Sequence, residues 1–180
     1  MLVKMNKQDF DLLTHTNLSQ GCFVPLIKIY KNNVAEQSSS NVSQIKEQFY
    51  EQLTEGQRAL FMFYAYYNHV SKSLIEFYWW SAYFMAQPRS WSAIKSGIKY
   101  FDDKSMLSLL ERVEVALKQH NYPDTLENFT VKREDLERNK ELLASFISLY
   151  ALLDKISSQT ISKINKCIEH NPQEFLDLED

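Results

Sequence analysis

A chain of 180 residues, 44% hydrophobic and 24% charged, has the composition of one folded domain with volume for a sizeable core. Its 3 glycines and 4 prolines are too few for the turns of an all-β fold. A formal net charge of −3 without a dense basic patch argues against ordinary nucleic-acid binding driven by phosphate contacts.

In chain order, residues 1–42 read as an irregular N-terminal segment. Residues 4–13 fit a short helix. Pro25 interrupts the apolar stretch 23–30, which is then an extended segment or a helix that starts at the proline. Residues 32–42 contain Ser38, Ser39, Ser40 and Asn41 and read as an exposed loop. The helical core is expected over 43–176. It opens with Ile45, Phe49 and Leu53 spaced four apart.

The aromatic residues concentrate next. Sixteen of the 24 Phe, Tyr and Trp residues fall between Phe49 and Phe101, all 3 tryptophans among them. The stretches 59–67 and 77–86 are apolar on nearly every side, the pattern of helices buried on all faces. Phe63, Trp80 and Phe84 are expected in the core. Tyr64, Tyr66 and Tyr67 read as core or interface residues. Thr54 and Gln57 match a capping box, so a helix begins near Glu55 and reaches about Val70. Ser73 and Glu76 match a second box, which predicts a break at 71–73 and a new helix to about Ala86. Pro88 closes that run, and Ser90 is positioned to cap a helix over 91–101. Asp102 and Asp103 supply the next N-cap.

The second half is more regular and more acidic. Residues 1–101 carry 10 Lys/Arg against 7 Asp/Glu, and residues 102–180 carry 10 against 16. Met106, Leu110, Val113 and Leu117 predict an amphipathic helix over 104–119. A long helix is expected over 131–155, with a Glu134–Arg138 pair on its exposed side. Ser157 or Ser158 would cap a last helix, bearing Ile161, Ile164, a buried Cys167 and Ile168, which Asn171 and Pro172 end. The fold class is all-α, a single domain over 1–180 of about seven helices around two aromatic-rich central ones.

In order and length these elements resemble the bacterial DNA-mimic protein family. The similarity covers about residues 50–176. It runs from Leu53–Arg58 through Asn68, Val70, Phe77 and Trp80, then Ala93 and Ile94, 106–117 and 149–153, to Asn171–Phe175. It implies an all-helical fold without assigned enzyme activity; in the best-known member of that family, carboxylates imitate DNA phosphates toward a DNA-binding protein. The chain departs from the family where 70–77 lacks the usual glycine pair, and in its mild charge.

Chemistry-bearing patterns are sparse. His15, His69, His120 and His170 have no i,i+3 or i,i+4 partner, and the zinc, phosphate-loop and nucleophile-elbow motifs are absent. No catalytic residue, metal or cofactor is assigned. One constellation stands out: Glu76, Trp80 and Tyr83 share a helical face, with Trp79 beside them and His69 seven residues before Glu76. It reads either as a buried polar network, with Glu76 paired to Arg58, Lys72, Arg89 or a tyrosine hydroxyl, or as a ligand pocket or acid/base pair. The sequence favours a non-enzymatic protein-interaction module of immunity, antitoxin or DNA-mimic type. Its partner is another protein, basic or DNA-binding, met through the acidic C-terminal half at Glu174, Asp177, Glu179 and Asp180 or through the aromatic rim. The alternative is a small-molecule-binding protein or enzyme that uses the aromatic centre around Glu76. No N-terminal apolar run suits a signal peptide, so a cytoplasmic location without membrane contact is expected.

Overall fold

The computed structural model describes residues 3–14, 17–36 and 42–179, and 79% of these are helical. They form nine α-helices, eight of at least 7 residues, and one two-stranded parallel sheet. The core is rich in aromatic side chains. Contacts divide the chain into two compact units, Met1–Phe61 with Ile161–Asp180, and Met62–Thr160.

The first unit begins with β1 (Val3–Asn6), α1 (Lys7–Thr14) and α2 (Leu18–Glu36). The described part of residues 1–42 is therefore regular, not irregular, and Pro25 lies inside a 19-residue helix. An interior proline costs about 3 kcal/mol. Leu18, Cys22, Phe23 and Leu26 on the same helix are all buried, at about 1.5–3 kcal/mol per large apolar side chain, which outweighs that loss. Asn165 Oδ1 accepts from the Ser19 backbone N–H at 3.0 Å, satisfying one free donor at the helix start. The serine run 38–41 lies outside the described residues. Next come α3 (Val42–Glu51) and the start of α4 (Glu55–Val70). Phe49 and Phe61 pack with their ring centroids 5.2 Å apart, flanked by Phe23 and Tyr30.

The capping box at α4 forms in both directions. Thr54 Oγ1 accepts from Gln57 N at 3.1 Å, and Gln57 Oε1 accepts from Thr54 N at 3.3 Å. The same two side chains hold the C-terminal segment. Thr54 Oγ1 donates to the Glu174 carbonyl, and buried Gln57 donates through Nε2 to the Phe175 carbonyl at 2.9 Å. This anchors β2 (Leu176–Glu179), which pairs with β1 in the register Val3↔Leu176 to Asn6↔Glu179.

The second unit contains the rest of α4, then α5 (Leu74–Met85), α6 (Pro88–Tyr100), α7 (Lys104–Gln119), α8 (Asp135–Arg138) and most of α9 (Lys140–His170). Pro88 occupies the first turn of α6, where its missing N–H is no loss, so it starts that helix and Ser90 lies within it. Asp103 caps α7 through bonds from Ser105 N and Met106 N, and its other oxygen accepts from Thr160 at 2.6 Å. α6 and α7 both end in a Schellman turn, with left-handed Asp102 (φ 49°) and Asn121 (φ 55°) where glycine is usual.

The expected helix over 131–155 is broken instead at Asn139, whose side chain caps α9 by accepting from Leu142 N at 3.0 Å. Ser157 and Ser158 begin nothing. Ser157 bonds back to the Leu153 carbonyl at 2.6 Å inside the uninterrupted 31-residue α9. Arg138 pairs with Asp135, at 3.5 Å, rather than with Glu134. Cys167 is only half-buried, beside the fully buried Ile164 and Ile168.

Candidate functional site

α5 is not buried on all sides. Phe77, Tyr78, Ser81, Ala82, Phe84 and Met85 are buried, while Glu76, Trp79, Trp80 and Tyr83 form a half-exposed edge. Trp80 therefore leaves the expected core set, whereas Phe63 and Phe84 keep their places in it. The indoles stay at the edge because each N–H takes a polar acceptor there. Trp79 Nε1 donates to the Val131 carbonyl at 3.0 Å, and Trp80 Nε1 donates to Glu76 Oε2 at 2.8 Å.

The structure brings together all five residues of the constellation. His69 stacks on Trp80 with ring centroids 3.7 Å apart and planes 21° from parallel. Trp79 and Tyr83 stack at 5.3 Å and 9°. Trp79 meets Trp80 edge to face at 4.9 Å. The break at 71–73 does not separate His69 from the group, although it ends α4.

Arg133, Phe129 and Val131 complete the cluster, and sequence reasoning did not assign them to it. Arg133 Nε donates to Glu76 Oε1 at 2.6 Å, and its Nη2 donates to Oε2 at 2.9 Å, a bidentate fork. The guanidinium carbon also lies 4.4 Å from the Trp79 ring centroid, within cation–π range. Phe129 places its edge against Trp79 and Tyr83, at 5.8 and 5.6 Å. None of the nearby cations weighed from the sequence holds Glu76. Arg58 donates instead to the Tyr50 and Glu51 carbonyls, and Lys72 acts on Glu76 only through its field. The available signal was an arginine following a stretch without helical periodicity, which 131–155 read as helix concealed.

The Glu76 environment is that of a fixed anion. The Arg133 hydrogen bonds hold its carboxyl below the ordinary carboxylate value, with help from Trp80. Burial, and then the Lys72 charge, push the His69 imidazole below its ordinary value, so it is neutral at pH 7. Both Glu76 oxygens accept hydrogen bonds, Oε1 from Arg133 and Oε2 from Arg133 and Trp80. Tyr64 and Tyr66 are core residues, and Tyr67 is half-buried. The Tyr66 hydroxyl is bonded to Ser81 at 2.7 Å.

The acidic C-terminal residues fall on different elements. Glu174 ends a 3-10 turn, while Asp177 and Glu179 lie on β2. Asp180 lies outside the described residues. Glu179 pairs with Lys4, and Lys4 also lies opposite Asp177 in the sheet, so the β1–β2 sheet is not of a single sign. Beside it, Lys4, Asn6, Asp9, Leu12 and Glu179 line an open depression of about 660 Å³.

His120 bonds Asn139 at 3.0 Å and His170 bonds the Lys166 carbonyl at 2.6 Å, while His15 lies outside the described residues. No group of three His, Cys, Asp or Glu among the described residues is placed to hold a metal ion. No described helix is long and apolar enough to cross a membrane. No protein-family model, curated protein or solved structure matches the chain.

Proposed function

We propose that this chain is a non-enzymatic protein-interaction module that meets a protein partner through the aromatic edge of α5. The observation that carries the reading is the half-exposed group Trp79, Trp80 and Tyr83 beside the Glu76–Arg133 fork. Trp, Tyr and Arg are the residues that dominate the binding energy of protein interfaces. Glu76 supports this reading rather than catalysis because it is ionised and doubly bonded. The Lys4–Glu179 pair lowers the weight of the acidic strand as the docking face, and with it the weight of a DNA-mimic mode.

The test is quantitative copurification of the tagged chain from its native host. A partner retained by wild type and by Asp177→Asn, but lost with Trp80→Ala in a folded protein, is the expected result. Loss with Asp177→Asn and retention with Trp80→Ala would move the docking face to the acidic strand. A metabolite that stabilises wild type but not Glu76→Gln would favour a ligand site instead.

A further inference from the structure

The segment linking α7 to α8 is unlike the rest of the second unit. From residue 121 to residue 134 no residue is buried, and the only regular structure is the short turn Leu126–Asn128. No backbone–backbone hydrogen bond joins it to α5. Its attachments to α5 and its neighbours are the Tyr122–Tyr78 hydroxyl pair and ring contact, the Trp79 bond to the Val131 carbonyl, the Phe129 ring contacts, the Arg133–Glu76 fork and the Arg133 guanidinium over Trp79. The segment has firm ends. Asn121 sits in the left-handed turn that closes α7, and Leu136 is fully buried. Few buried apolar groups and few backbone bonds are the marks of a region that opens locally without global unfolding.

We propose that residues 121–134 form a releasable strap over the aromatic edge of α5, with the Glu76–Arg133 fork as its latch. Opening turns about Asn121 and the start of α8. It frees the Trp79 indole N–H and uncovers the Trp79–Tyr83 stack while α5 and α7 stay folded. The strap thereby sets how much of that edge a partner meets. Only this consequence rests on the interaction reading; the opening itself is read without a partner.

The probe is solvent exchange of the indole N–H protons of the full chain, followed by NMR. Trp91 is the internal control, since its Nε1 donates to Glu114 outside the strap. The Trp79 indole is expected to exchange at least about a hundredfold faster than the slowest α5 backbone amides. Arg133→Met should speed it about tenfold more and leave Trp91 unchanged. Phe129→Ser loosens the strap without touching the charges and should act in the same direction. Exchange of the Trp79 indole only at the rate of the slowest α5 amides would overturn the proposal. So would equal acceleration of Trp79 and Trp91 in both variants, which reports general destabilisation.

Discussion

Glu114 shows how a single carboxylate on this fold is tuned. Burial pushes its carboxyl up, but hydrogen bonds from Lys118, Lys95 and Trp91 more than offset that and hold it down at about 2. A carboxyl depressed in the folded state gives stability that is present above its ordinary value of 4.5 and is lost as pH falls through about 2. The melting temperature should therefore fall across that window, and Glu114→Gln should flatten the fall. An unchanged slope in the variant would show that other carboxylates govern acid unfolding. Phe63 and Phe84 are the deep aromatic anchors, 2% and 8% exposed. Phe63→Ala and Phe84→Ala should each lower unfolding free energy by roughly 3–5 kcal/mol in denaturant titration. A loss below about 1 kcal/mol at both would place these rings on a surface.

At the scale of elements, Gly56 controls how the C-terminal segment meets α4. A Cβ there would stand 2.9 Å from the Glu174 carbonyl oxygen and 3.0 Å from the Phe175 ring. Alanine favours helix over glycine by up to about 1 kcal/mol, but here the obstruction is backbone that Thr54 and Gln57 hold in place. Gly56→Ala should thus lower stability by about 1–3 kcal/mol in denaturant titration, and a stabilised variant would mean that the segment shifts freely. α4, α5 and α7 are legible because capping residues agree there with the apolar pattern, continuous in α4 and α5 and at 3–4 spacing in α7: Thr54 with Gln57, Ser73 with Glu76, Asp103 before Met106. Where local signals compete with distant contacts, the sequence misleads. Pro25 argues against a helix that burial stabilises, and Ser157 resembles a cap but turns its hydroxyl back onto its own helix. The β1–β2 pairing joins strands of 4 residues from opposite ends of the chain, a separation that no local pattern reports.

The candidate site was half legible on the same grounds. His69, Glu76, Trp79, Trp80 and Tyr83 are near in sequence, and helical geometry predicts their meeting. Arg133 lies 57 residues from Glu76, and its role depends on a strap whose course is set by ring contacts rather than by periodicity.

For the whole molecule, far-UV circular dichroism should show a predominantly helical protein, and strand above about a quarter of the residues would contradict the fold. The functional account rests on the aromatic edge being held for contact rather than for proton transfer. Its most direct test is the equilibrium unfolding of Glu76→Gln. A carboxylate that locks Arg133 and the Trp80 indole leaves both less satisfied when its charge is removed, so the variant should be less stable than wild type by about 1–3 kcal/mol. A Glu76→Gln protein as stable as wild type, or more stable, would contradict the account, because that is how a carboxylate kept for chemistry at the expense of stability behaves.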